Sequence, residues 1–320
     1  MRNQTGVGLR DNLVGNYGIV FVLLALVVVL SLFAPSFLSV ATLVNISRQI
    51  ATIGICAVGM TIVMVSGGID LSIGALMAVV NIVCAKLIVE NGVHPVPAVL
   101  ACIVVAAAVG ALNAFWITIV KIPPLIATLG TMTSLRGLAY TLSGGRSVWG
   151  LGDGFGVLGR GQLGIVPIPF AIMAVMFVLG WFFLLHTRYG RFVYGMGGNE
   201  AAARRAGISV RKMKFLVYIV CSVITAIAGI LLLSRLNTGL PKTGSGLEME
   251  VVTAVVLGGV SIYGGKGSIL GVFFGVVIMG VLTNGMTYLN ITEYLQLVIR
   301  GFVLLVAIGF GHLSRKNRLT

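Results

Sequence analysis

Long apolar runs broken by short polar interruptions make up nearly the whole chain, and ten runs are long enough, or nearly so, to cross a hydrocarbon core of roughly 30 Å as helices. They fall at Tyr17–Ala34, Leu43–Val65, Leu71–Val89, Ala98–Val120, Leu125–Leu142, Ile168–His186, Phe215–Arg235, Met249–Tyr263, Ile269–Leu289 and Tyr294–Gly311. The eighth is short and carries glycines, so a broken or tilted span is expected there. Lipid tolerates such a span only where other protein covers the freed backbone groups, which leaves eight or nine full crossings open. The longest polar stretches, Ser143–Pro167 and Thr187–Lys214, are too short to fold as domains of their own. The pattern predicts an all-α integral membrane protein, with about ten transmembrane helices in one polytopic bundle over residues 1–320.

Composition agrees. Apolar residues are 58% of the chain, charged residues 9%, and mean hydropathy is +1.08, whereas soluble domains carry about 25% charged residues. Lys and Arg outnumber Asp and Glu by 22 to 8, but the positive charges sit in a few inter-span loops rather than on one face, so no nucleic-acid partner is expected. One set of loops and both ends collect Arg2, Arg10, Lys121, Arg188, Arg191, Arg204, Arg205, Arg211, Lys212, Lys214, Lys266, Arg315, Lys316 and Arg318. The opposite loops hold little beyond Arg146, Arg160 and Lys242. The positive-inside rule then places both termini in the cytoplasm. The first span has no small-x-small cleavage site before Pro35 and is expected to stay as an anchor.

Within the cytoplasmic stretch 187–214 lies a polar island, YGMGGNEAAARRAGI, from Tyr194 to Ile208. Gly197 and Gly198 break the preceding chain, Asn199 suits an N-cap, Glu200 suits the N-terminal dipole and Gly207 can terminate a helix. Ala201, Ala202 and Ala203 form helix with little side-chain volume, and Arg204 and Arg205 add charge near the C-terminal end. The segment reads either as a docking surface for another protein or as a solvated junction.

Two glycine-bearing turns follow a common pattern. GMTIVMVSGGIDLSIG, from Gly59 to Gly74, and VVLGGVSIYGGKGSILG, from Val255 to Gly271, each place a Gly-Gly pair six residues before a further glycine, a weak internal repeat. Asp70 reads as a cap of the third helix, helped by Ser72, or as a lining of the cytoplasmic gate. The lysine turn is not a phosphate loop: Gly265-Lys266 is followed by Gly267, and Val260 stands where the first glycine belongs. No ATPase is expected in this chain. Cys56, Cys84, Cys102 and Cys221 lie in apolar spans without zinc spacing, and His94, His186 and His312 match no metal or triad pattern.

Four blocks together carry a resemblance: AVGMTIVMVSGGIDLSIG, KIPPLIATLGTMTSLRGLAYTLSGG from Lys121 to Gly145, TRYGRFVYGMGGNEAAARRAGIS, and AVVLGGVSIYGGKGSILG. In this order the chain resembles the permease of ribose-type ABC sugar importers. The resemblance implies about ten helices in a bacterial inner membrane and a second permease copy or paralogue. It also implies a separate cytoplasmic ABC ATPase that uses ATP and magnesium, and a periplasmic or lipoprotein sugar-binding protein. No cofactor is expected on this chain. The island then matches the family's coupling helix, with Gly198, Asn199, Ala202, Ala203, Gly207 and Ile208 at recurring positions, Glu200 between them, and Arg204-Arg205 as the departure.

Alternating access without covalent chemistry is the implied mechanism, and a polyol path needs hydrogen-bonding groups. Those available in or beside spans are Thr61, Ser66, Ser72, Asn81, Asn113, Thr128, Thr131, Thr253, Ser261 and Asn284. Arg300 is the one charge well inside a span, with Gln296 beside it and Glu248 or Glu250 as partners. It reads as a pathway residue, or as a charge that snorkels or pins two helices; Arg48 and Arg136 read as snorkelling. The alternative is a secondary transporter, which needs ion-coupling acids or histidines near the midplane. A channel or an intramembrane enzyme would require a filter repeat or a nucleophile–base set, and neither pattern is present.

Overall fold

The computed structural model describes residues 7–33 and 37–316. The expected end of the first span at Ala34, with Pro35 after it, and the charges Arg2 and Arg318 lie outside the described residues. The helices are α1 (Val7–Phe33), α2 (Val40–Val65), α3 (Ile73–Val89), α4 (Pro95–Thr118), α5 (Pro124–Ser143), α6 (Asp153–Arg160), α7 (Ile168–His186), α8 (Arg188–Gly198), α9 (Glu200–Arg205), α10 (Val210–Leu236), α11 (Leu247–Leu257), α12 (Ile269–Tyr288) and α13 (Glu293–Lys316). Among the described residues, four two-residue strands form two antiparallel pairs. β1 (Val148–Trp149) pairs with β4 (Thr238–Gly239), and β2 (Gln162–Leu163) pairs with β3 (Val166–Pro167).

Every apolar run falls on a helix, but not every helix was marked by one. α11 stops at Leu257, six residues before the run ends, and at 11 residues it spans only about 16 Å. It stops because the chain folds back onto α12: a Cβ at Gly258 would lie 2.5 Å from the Cα of Val272. The stretch 143–167, expected as loop, contains α6. Ser234 of α10 holds it there, its hydroxyl accepting from the Gly159 amide at 2.8 Å and donating to the Phe155 carbonyl at 2.5 Å.

Among the described residues, five helices are long and apolar enough to cross a membrane: α2, α4, α7, α10 and α12. Ile19–Phe33 and α3 are shorter apolar helices. α5 has the length, but Arg136 and its threonines and glycines dilute its apolar character. Arg136 is held inside the fold rather than snorkelling, since its Nη1 donates to the carbonyls of Pro241 at 3.0 Å and Thr243 at 2.7 Å.

α2 and α10 are the central helices. Of the apolar window of α2, 83% is buried, against 28% for α7, which leaves a peripheral helix with its apolar side chains facing outward. α4 crosses α10 at Gly110, where a Cβ would stand 2.7 Å from the Cα of Ile219; the missing side chain lets the two backbones approach, the device that packs helices in lipid. One core gathers α2, α7, α10, α11 and α12. A second lies between α3, α4, α5 and the C-terminal half of α10. Phe21, Val178 and Phe302 are exposed, as lipid-facing side chains must be.

Candidate functional site

The polar island folds as two helices, α8 and α9, separated by a break at Asn199, whose backbone is extended at φ −158° and ψ 101°. The Asn199 side-chain oxygen accepts from the Ala202 amide at 2.9 Å, satisfying one of the free donors of the first turn. At the other end Gly207, at φ +83°, lets its own amide reach the Arg204 carbonyl while the Ile208 amide reaches that of Ala203, both at 3.1 Å. This paired closure is the Schellman arrangement, which favours glycine at the left-handed position. Between the caps only Ala203 is buried; Asn199, Ala201, Ala202, Arg204, Arg205 and Gly207 face outward with Gly198.

Glu200 fixes the base of this helix. It accepts from Arg204 at 3.0 Å along α9 and from Lys214 of α10 at 2.6 Å. Partial burial pushes its carboxyl upward, but Lys214 and then Arg204 outweigh that and hold it below the ordinary range. Beside the pair runs a groove of about 700 Å³, lined by Lys121, Pro123, Pro124, Glu200, Arg204, Arg211 and Lys214 among others. Cations therefore dominate the surroundings of α9.

Beneath α8 and α9 the two glycine turns meet. The Gly265 amide donates to the Val65 carbonyl at 2.8 Å. Gly197 sits against both, so that a methyl there would overlap the Val65 oxygen. Gly264, at φ +84°, is so close to Gly67 that a Cβ would stand 2.7 Å from its Cα, and Gly265, at φ +71°, would place one 2.6 Å from the Cα of Gly198. Tyr194 of α8 adds a hydrogen bond from its hydroxyl to the Gly267 carbonyl at 2.8 Å. Three segments that close the ends of α2, α8 and α11 are thus locked backbone to backbone, with no side chain between them.

The first of these turns is buried and polar. Asp70 is 1% exposed, not a surface cap on an arginine-rich face. Its Oδ1 accepts from the amide of Ser72 at 2.9 Å and the hydroxyl of Ser72 at 2.5 Å. Asn113 of α4 donates to Ser72 Oγ at 2.9 Å and reaches both Asp70 oxygens at 3.4 and 3.5 Å. Thr128 of α5 and Tyr218 of α10 each donate to the Ile69 carbonyl at 3.4 Å. Asp70 is two residues ahead of the N-cap, Ser72, so it ties α3 to α4 rather than capping α3.

The permease component of the branched-chain amino acid transport system, as a protein family, matches residues 42–308. The chain belongs to this family. It is 41% identical over 288 residues to the ribose import permease protein RbsC of Bacillus subtilis, covering 89% of each chain, and 40% identical over 290 residues to RbsC of Escherichia coli K12, covering 89% of this chain and 90% of that one. It is 38% identical over 307 residues to the L-arabinose ABC transporter permease protein AraH of Azospirillum brasilense, covering 96% of this chain and 90% of that one. No solved structure is significantly similar. These matches make the chain the membrane subunit of an ABC importer, a multi-pass inner-membrane protein.

In this permease the sequence-derived pathway residues do not form one lining. Ser66, Asp70, Ser72, Asn113 and Thr128 gather at the first glycine turn. Thr61 and Thr253 donate to carbonyls four residues back in their own helices, at 2.6 Å each. Asn284 donates to Gln49 Oε1 at 2.6 Å and joins α12 to α2. Arg300 pairs with Glu250 and reaches Gln296 Oε1 at 3.1 Å, pinning α13 to α11. The sequence reading missed Lys214 as the partner of Glu200 and Tyr218 as part of the buried network. Neither leaves a local signal, because both contacts close across separate segments.

Proposed function

We propose that this permease carries a monosaccharide or related polyol inward by alternating access, driven by a separate ABC ATPase that uses ATP and magnesium. The ribose and arabinose permeases it is similar to support the sugar class. One observation carries the coupling assignment: α9 exposes a doubly capped face of small and basic residues, and Gly197 and Gly198 just before it are locked to the turns that close α2 and α11. An ATPase bound on Gly198, Asn199, Glu200, Ala202, Arg204, Arg205 and Gly207 would push on a segment that cannot move without those turns; Ala203, expected on the same surface, is buried and seats the helix on the bundle instead.

The same reading treats residues 1–320 as one membrane domain with 187–214 as its cytoplasmic coupling loop. It has about ten crossings, α11 being a partial one, and cytoplasmic termini. The turn holding Ser66, Asp70, Ser72, Asn113 and Thr128 is then the cytoplasmic gate. Thr61, Thr253, Asn284 and Arg300 hold the bundle around it. A second permease copy or paralogue and a periplasmic or lipoprotein binding protein complete the importer, and no cofactor is held by this chain. Proteoliposomes with and without the partner ATPase test this. Labelled ribose or arabinose should enter only with ATP, the ATPase and the binding protein together; uptake by the chain alone on an ion gradient would overturn it.

A further inference from the structure

At the end of the bundle opposite α9, Asn45, Arg48 and Gln49 of α2, Gly159 and Arg160 of α6, and Arg235 of α10 line a pocket of about 260 Å³. Arg235 lies 25 residues along α10 from Val210, roughly 38 Å from the α9 end. The positive-inside rule makes this the face where arginines are scarce, yet three of the six lining residues are arginines and none is an acid.

Arg48 and Arg235 come from the long helices α2 and α10 and both line this wall. Arg235 Nη1 donates to the Arg48 main-chain carbonyl at 3.2 Å, which joins the two helices there. Arg48 Nε is enclosed and has no hydrogen-bond partner, a costly state for a cationic donor. Arg160 folds back over Gly156, where a Cβ would lie 2.7 Å from its Cζ, and lines the mouth. Gln49 turns its side-chain oxygen to Asn284, which leaves its NH2 to donate. The Gly159 amide is already used by Ser234. The wall therefore offers donors and positive charge, and its planar forks suit a two-oxygen anion.

We propose that this pocket is an oxyanion-binding site, with Arg48 and Arg235 as its anchors and a carboxylate as its ligand. The carboxylate comes either from an acidic side chain of the protein that delivers solute or from a free organic acid. The site itself does not depend on the importer reading; only the choice between these sources does.

Glutarate is the probe, titrated into the full-length protein in nanodiscs and followed by native mass spectrometry and thermal shift. Saturable binding at millimolar concentrations is expected, weakening as salt rises. Arg48→Gln with Arg235→Gln should weaken it at least about tenfold. Asn45→Asp, which adds a carboxylate at the exposed rim without removing an anchor, should do the same, and so covers a failure of the double variant to fold. No saturable binding to the wild type, or binding unchanged in Asn45→Asp and in a folded double variant, would overturn the site. In the complete transporter, inhibition of uptake by external glutarate assigns the natural ligand to the delivering protein. Unchanged or increased uptake, at the same affinity for glutarate, assigns a free acid. If the complete wild-type transporter shows no ATP-driven uptake, the importer reading fails while the nanodisc titration still decides the site.

Discussion

Val65 and Gly265 are joined by a single backbone hydrogen bond, at 2.8 Å, from amide 265 to carbonyl 65. Gly197 lies over both. The ends of α2, α8 and α11 therefore meet main chain to main chain, and this contact has no slack for a side chain.

Replacing Gly197 by Ala should separate docking from transport. The added methyl meets the Val65 oxygen, so the turns must part, a strain of about 1–3 kcal/mol if the fold absorbs it. The α9 face is untouched. ATP-driven uptake is expected to fall at least about tenfold while ATPase pull-down stays within about twofold of wild type. Equal loss of both would show that the contact serves only folding.

The caps of α9 make a second prediction. Asn199→Ala removes the acceptor for the Ala202 amide and should cost about 1 kcal/mol of local stability. Gly207→Val forces a β-branched residue to φ +83° and should cost about 1–3 kcal/mol. Hydrogen exchange of the amides of residues 200–208 should speed in both variants, with the central helices unchanged.

The Glu200 pair has a pH dependence whose sign follows from its lowered carboxyl. A depressed folded value means the stabilisation is present above the unfolded value of about 4.3 and is lost as pH falls through the folded one. Protection of α9 amides should hold from neutral pH to about pH 4.5 and then fall. In Glu200→Gln that acid-side loss should be absent, with protection weaker than wild type near neutral pH and converging with it at low pH. Since the Glu200 side chain is 42% exposed, high salt should reduce the effect.

Asp70 and Asn113 should be coupled. Asp70→Ala leaves the Ser72 amide and hydroxyl without their buried acceptor, and the Asn113 NH2 with Ser72 Oγ alone, at about 1–3 kcal/mol for each group orphaned. Asn113→Leu removes the second donor, so the double variant should lose less than the sum of the two singles. Thermal unfolding in detergent, compared across the four proteins, checks this; simple additivity would mean that the two side chains do not act together.

What could be read in the sequence was what acts over a few residues. Asn199, Glu200 and Gly207 announce α9 because caps work within one turn of the helix they close. The apolar runs located the long helices for the same reason. α6 and α8 were not legible: DGFGVLGR and RYGRFVYGMGG hold so many glycines that propensity argues against helix, and tertiary contacts such as Ser234 on α6 override it. The repeated Gly-Gly pairs were visible, but not that Gly67 packs on Gly264, because nothing local says which distant segment a bare backbone will meet. Arg48 and Arg136 looked alike as interfacial arginines, and only the fold separates a pocket wall from a clamp on Pro241 and Thr243.

The bond between Val65 and Gly265 also sets a schedule for making the protein. Its two ends are 200 residues apart. At about 5–20 residues per second, the ribosome needs about 10–40 s to supply the second end after the first. During that interval the Val65 carbonyl and the Gly67 backbone lack the lysine turn that closes over them, while α4, α5 and Tyr218 of α10 already cover Asp70. A nascent chain halted before Gly265 should be cut by protease at the end of α2, and the full-length chain should resist. Arrival of the lysine turn thus gives the newborn protein a proofreading step, since a copy truncated before it leaves the end of α2 open where a finished one is sealed.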